Sequence, residues 1–236
     1  MSTTPYNPLD KRNIGASVAE ALLSKDPTSL AGLQSFRGAG IYVIYYVGNF
    51  GAYATIAEDN AAGKFGAPIY IGKAVPAGAR KGGELRGGMN STSALYRRMV
   101  EHRDSIAQTH TLEIKDFYCR YLVVDDIWIP LGESLLINKF KPVWNTIVDG
   151  FGNHDPGSGR YVGMRPRWDV IHPGRTWATR CADRKESADQ ILGDIAEYVR
   201  AHPAPRSPHF FAMQDRPEYN SDAANDMTGT NDTNAS

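Results

Sequence analysis

The sequence predicts an α+β fold, a small sheet flanked by helices, on three observations. Ile41 to Val47 (IYVIYYV) is an unbroken β-branched and aromatic run, and Pro68 to Gly72 (PIYIG) is a second, shorter one. Ser93 to Ala107 carries Leu95, Met99, His102 and Ile106 at 4-3-4 spacing, the stripe of an amphipathic helix. A further strand and helix follow at Phe117 to Val124 and Pro130 to Phe140, so the order β-β-α-β-α fills a core near residues 38–147.

Taken in order, residues 1–14 are polar, carry two prolines and read as a loose arm. Ser17 to Ser24 (SVAEALLS) reads as a short amphipathic helix stopped near Pro27, so 1–37 is an arm and a short helix ahead of the core. Gly48 to Gly66, with scattered Gly, Ala, Asn and Asp, reads as a loop, and residues 73–93, rich in Gly, Lys, Arg and Ser, as a long surface loop. Ser93 is the expected N-cap of the first core helix. Pro130 opens the next, at a position where a missing N–H costs nothing, and Pro142 ends it. Residues 149–185 show little periodicity. Glu186 to Ala201 is a last amphipathic helix, with Ile191, Ile195 and Val199 on one face. The stretch 148–216 is expected to pack on the core as helical decoration, and 217–236 has the composition of a disordered tail.

Formal net charge is zero, which argues against a nucleic-acid partner until its distribution is considered. The last twenty residues hold Glu218, Asp222, Asp226 and Asp232 and no Lys or Arg; without them 26 basic face 22 acidic residues, a net of +4. Any case for nucleic acid therefore rests on where the charge sits. The two cysteines, Cys119 and Cys181, form no metal-ligand pattern, and Cys119 reads as a buried free thiol. There is neither a secretory signal pattern nor an apolar run of roughly 18–20 residues, so a cytoplasmic protein that does not enter a membrane is expected.

The informative residues are polar groups set where the pattern wants apolar ones. Alternation puts Tyr42, Ile44 and Tyr46 on one face of the first strand, and Tyr70 sits centrally in the second. Two phenols could meet across the sheet, or these are ordinary strand tyrosines with buried rings. Arg98 and His102 share a helix face four residues apart, with His102 inside the apolar stripe and Arg98 at its edge. A hydrogen-bonded core histidine and a snorkelling arginine are the plain alternatives. Glu133 continues into the apolar face of Leu136, Ile137 and Phe140. A carboxylate there must be paired, protonated or bound to a cation, unless it is a first-turn acid favoured by the helix dipole. Asn145 could hold a phosphate or cap a turn.

Gly40-Ile41-Tyr42 and Tyr70-Ile71-Gly72, followed by a helix with Arg98, a strand, a helix with Glu133 and then Asn145, resemble the GIY-YIG nuclease superfamily over roughly residues 38–147. The resemblance implies a small central antiparallel sheet flanked by helices. One departure stands out: 27 residues separate Tyr42 from Tyr70, where most members have a short turn. That insertion, the run Lys73-Ala74-Val75-Pro76-Ala77-Gly78, and His102 four residues after Arg98 resemble the type II restriction endonucleases of this class that cut CCGCGG. Gly152 to Gly157 and the segments around Trp168-Asp169 and His172 to Arg175 resemble that branch less specifically.

The resemblance implies roles for residues at the matching positions. Glu133 would hold one Mg²⁺ (Mn²⁺ substituting), a hard oxygen donor for a hard cation. Tyr42 would act as general base or orient the attacking water. A phenol with pKa near ~10 needs help at neutral pH, and His102 would take its proton. Tyr70 would orient the phosphate or water, Arg98 would clamp the phosphate, and Asn145 would bond the phosphate or a metal-bound water. A covalent phosphotyrosine route is the alternative to direct attack by water. For double-stranded DNA, Arg80, Lys81 and Arg86 in the Gly-rich loop and Arg160, Arg165, Arg167, Arg175 and Arg180 beyond the core are candidate contacts, Arg being suited to guanine. A palindromic site would imply a homodimer with one active site per strand. Two rivals remain: a repair or homing nuclease of the same superfamily, and an inactive GIY-YIG fold that only binds nucleic acid.

Overall fold

The structure, a computed structural model, describes residues 7, 9–75, 92–155 and 162–205. Helix α1, Lys11–Leu23, starts earlier than the sequence reading, because Asp10 caps it by accepting from the Arg12 N–H. Strand β1, Thr28–Ser29, is only two residues long and pairs with a strand far along the chain. Strand β2, Gly40–Tyr46, is buried along its whole length. The expected loop at 48–66 is corrected: it holds α2, Ala54–Asn60, between two single 3₁₀ turns. The buried Asn60 side chain closes this insertion, donating to the Tyr46 and Ala67 carbonyls and accepting from the Ala67 N–H.

Strand β3, Pro68–Ala74, runs two residues past the predicted end. Helix α3 spans Ala94–Ala107. The Ser93 side chain does not cap it; the neighbouring Thr92 hydroxyl accepts the Ala94 N–H instead. Strand β4 is Phe117–Val123 and helix α4 is Ile129–Phe140. Lys141, in the left-handed conformation, closes α4, and Pro142 caps the short α5, Val143–Thr146. The extension adds α6, Arg167–Ile171, and α7, Ala188–Ala201, the latter opened by a Ser187–Gln190 capping box.

The four strands are antiparallel throughout, in the order β1-β4-β2-β3. Helices cover both faces. Ile41, Val43 and Tyr45 point to the layer of α1 and α4, where they meet Ala19, Leu22, Ile129 and Leu136. Tyr42, Ile44 and Tyr46 point the other way, into a larger core with Leu95, Met99, Trp144, Trp168 and Ile191. The extension is thus fused to the second face. Cys119 is buried and free, with its thiol pushed up to about 12 by burial, which keeps it inert. Among the described residues no helix is long and apolar enough to cross a membrane. Residues 1–6, 8, 76–91, 156–161 and 206–236, which hold most of the predicted surface loop and all of the predicted tail, lie outside the described residues.

Candidate active site

Antiparallel pairing sets Tyr42 opposite Gly72 and Ile44 opposite Tyr70, so the two phenols share one face as diagonal neighbours. Their ring centroids are 6.2 Å apart. The glycines of the two tripeptides are there for close approach. A Cβ on Gly72 would lie 2.4 Å from Tyr42 Oη, and one on Gly40 would lie 1.9 Å from the Leu122 carbonyl oxygen. The Tyr42 phenol can lie across β3 only because Gly72 has no side chain.

Helix α3 lays His102 against this pair. Tyr42 Oη and His102 Nε2 are 2.5 Å apart, and both side chains are buried. His102 is held between the Tyr70 edge and the Phe151 ring, which stacks on it at 4.4 Å and 17°. Burial first, then the positive charge of Arg98, drives the His102 pKa well below its ordinary value. The imidazole is therefore neutral, and it shares a buried hydrogen bond with Tyr42 Oη whose direction follows its tautomer: with the ring proton on Nδ1, Nε2 accepts from the phenol O–H. Burial also raises the Tyr42 pKa well above normal, with Tyr70 adding to the shift and Arg98 opposing it. Tyr70 is raised by burial, again with Arg98 opposing. One guanidinium thus sits within reach of both phenols and stabilises negative charge on either.

Arg98 is fixed by the extension: its Nη2 donates to the Gly152 carbonyl at 2.8 Å, and its Nη1 contacts His154 Nε2 and Glu101. Glu133 comes from the opposite face of β3, in the second turn of α4. The first-turn dipole reading therefore does not apply to it. Its side chain is 17% exposed and pairs with Lys73 Nζ at 2.5 Å. Its charge acts on Tyr70, raising that phenol's pKa. The site therefore straddles the edge strand, with the phenols, Arg98 and His102 on one side and Glu133 on the other.

Glu133 fits a hard divalent cation, being a part-buried oxygen donor on which a cation, the Lys73 ammonium, already rests. Among the described residues no group of three or more His, Cys, Asp or Glu could hold a metal. An ion here would have Glu133 as its protein carboxylate, with water and substrate oxygens completing the shell.

Two expectations are corrected. Asn145 does not face the site as a free phosphate ligand. Its Oδ1 accepts from the Ile71 N–H and its Nδ2 donates to the Ile71 carbonyl, each at 2.7 Å. It mimics a neighbouring strand and seals the edge of β3 where Tyr70 and Gly72 must be held. Arg175, expected as a DNA contact, is placed in the interior of the extension. It is 1% exposed, doubly bonded to the buried Asp169, and donates to the carbonyls of Gly150, Phe151 and Asn153. Arg165 pairs with Asp183, and Arg167 with Glu186 and Asp194, so in this conformation both hold the extension together. Arg180 is the exposed last residue of a 3₁₀ turn, Ala178–Arg180. Arg80, Lys81, Arg86 and Arg160 lie outside the described residues.

Sequence reasoning missed Lys73, Phe151 and His154. Lys73 carried a signal, since alternation from Tyr70 puts it on the α4 face of β3. His154 lay in the Gly152 to Gly157 segment that carried the resemblance but had no role assigned, and Phe151 carried almost no signal, lying in a stretch without periodicity.

Two phenols, an arginine, a neutral histidine and a carboxylate around a two-glycine strand pair define a GIY-YIG nuclease. The family model described as the Eco29kI GIY-YIG domain matches residues 34–199, and the chain belongs to that family, a restriction endonuclease family of the GIY-YIG fold. The matched range runs past the sheet core and takes in the extension that holds Arg98. A search of curated proteins found no match.

Proposed function

We propose that the chain is a type II restriction endonuclease that hydrolyses double-stranded DNA at a GC-rich palindrome, CCGCGG, as a homodimer with one Mg²⁺ per active site. The observation that carries this reading is the buried Tyr42–His102 contact at 2.5 Å beside Arg98. A nucleic-acid-binding protein has no need of a neutral histidine seated on a buried phenol.

The chemistry follows from the same groups. A water molecule attacks phosphorus and passes a proton to Tyr42 Oη. The phenol passes its own proton to His102 Nε2, because a buried phenolate is costly. The P–O3′ bond breaks, giving a 5′-phosphate and a 3′ oxygen that takes up a proton from water. Arg98 depresses His102 basicity in the free protein. A DNA phosphate against Arg98 offsets that charge, so His102 becomes a better acceptor when substrate is bound. Arg98 also clamps the developing charge on phosphorus, and Tyr70 orients the phosphate. Mg²⁺ bound at Glu133 would supply charge neutralisation at the phosphate and at the leaving oxygen.

The test is digestion of two plasmids, one with a single CCGCGG and one without, in Mg²⁺, in Mn²⁺ and in EDTA, beside Glu133→Gln. A single linear product from the first plasmid alone, lost in EDTA and in the variant, is expected. Random nicking, or binding without cutting, would reject the restriction reading.

A further inference from the structure

The loop 150–154 lies outside the sheet core, yet touches three groups of the site at once. The Phe151 ring stacks on His102 and meets the Tyr70 edge at 4.9 Å and 78°. The Gly152 carbonyl accepts from Arg98 Nη2, and His154 Nε2 contacts Arg98 Nη1. The loop is itself held from below. Three of its carbonyls, at Gly150, Phe151 and Asn153, accept from the buried Arg175, which Asp169 anchors at 2.5 Å and 2.7 Å. A continuous chain of contacts thus runs from Asp169 through Arg175 and the loop to Arg98 and His102.

We infer that this loop is part of the active site, with His154 as the positioning residue for Arg98 and Phe151 as the positioning residue for His102. The inference rests on the nuclease reading above. An arginine has five N–H donors in a rigid fork, so fixing both terminal nitrogens fixes the guanidinium plane. With Nη1 and Nη2 each tied to the loop, the plane is aimed where the two phenols and a bound phosphate meet. His154 serves as an acceptor here, and Glu101 Oε2 lies 3.3 Å from the same nitrogen. Phe151 serves by shape: a flat ring parallel to the imidazole keeps Nε2 on Tyr42 Oη. Misplacing reacting groups by ~1 Å can slow a reaction on the order of 10²-fold.

The test uses the full chain with Mg²⁺ and a CCGCGG duplex. It measures kcat and KM, duplex affinity in EDTA, and thermal unfolding for His154→Ala, His154→Gln, Phe151→Leu and Arg98→Ala. His154 is more than half exposed, so its variants leave the core intact. His154→Ala is expected to lower kcat ~10–100-fold with KM and duplex affinity within about twofold. His154→Gln, whose Oε1 can accept from Arg98, should recover most of that loss. Phe151→Leu keeps an apolar plug without a ring and should lower kcat by a similar factor. The loop inference fails if His154→Ala and Phe151→Leu cut at the wild-type rate while Arg98→Ala is dead. It also fails if His154→Gln is as slow as His154→Ala, or if the losses appear in duplex affinity alone. If Arg98→Ala itself cuts normally, it is the nuclease reading of Arg98 that fails.

Discussion

Replacing Tyr42 with Phe removes one atom, Oη, from a pair whose two side chains are each no more than 1% exposed. Two effects follow, and they separate. His102 keeps a buried nitrogen without its partner, which costs ~1–3 kcal/mol of stability. For a chain of this length that lowers Tm by ~2–4 °C per kcal/mol, a few degrees in total. The second effect is on rate. If Tyr42 moves the proton of the attacking water, its loss removes ~10²–10⁴ in kcat, or ~2.7–5.4 kcal/mol of barrier. The protein should therefore remain folded at 25 °C, bind duplex as before, and cut about a thousandfold more slowly in single-turnover assays. His102→Gln should do similar damage. Because the two act as one relay, the double variant should be little slower than the worse single one. Single-variant rates within threefold of wild type, or effects that multiply in the double variant, would refute the relay.

Lys73→Met frees the Glu133 carboxylate from an ammonium that a divalent ion must otherwise displace, so Mn²⁺ binding followed by calorimetry should tighten several-fold; weaker binding would mean Lys73 does not compete for that site. Arg175→Leu strands a buried Asp169 and should cost ~3–5 kcal/mol, seen as a lower denaturation midpoint, whereas a DNA contact would instead lower duplex affinity of a protein of normal stability. Acid should destabilise the fold through the buried His102 and His172. The folded-state pKa of His172 is pushed down to about 3 from an ordinary 6.5 by burial, and that of His102 moves the same way. Below pH 6.5 the unfolded chain takes up protons that the folded one refuses. Each histidine then removes ~1.4 kcal/mol per pH unit, down to about pH 3 for His172, and neither contributes a slope above pH 6.5. Urea unfolding at pH 7.5, 6.5 and 5.5 should show this slope, shallower in His172→Gln; an equal slope in that variant would reject the assignment.

Much of the core was legible because its periodicities are strong. β2 is continuous β-branched and aromatic sequence, and α3 shows a clean stripe in which His102 is the odd member. The order of tripeptides, Arg98 and Glu133 then marked the candidate site. What stayed hidden depended on tertiary partners. The α2 helix is hidden in a Gly- and Ala-rich stretch and is closed by Asn60, whose partners are distant backbone groups. β1 is too short to show a period and exists because β4 offers it an edge. Asn145 was expected to bond a phosphate or a metal-bound water, and its partner in the structure, the Ile71 backbone 74 positions away, was not predictable from one Asn. The burial of Arg175 was not legible because sequence shows its charge and not Asp169 folded against it. Phe151 and His154 were missed for the same reason, since only the packed extension brings them to His102 and Arg98.

Single-turnover cleavage of a duplex bearing CCGCGG, beside one with a single base pair of that site changed, is the most direct measurement of all. In Mg²⁺ the first should be cut at one position on each strand, and the second more slowly by on the order of 10-fold or more. Both should stay intact in EDTA. Equal cutting of the two duplexes, or cutting that persists in EDTA, would contradict a metal-dependent, sequence-specific endonuclease built on Tyr42, His102 and Glu133.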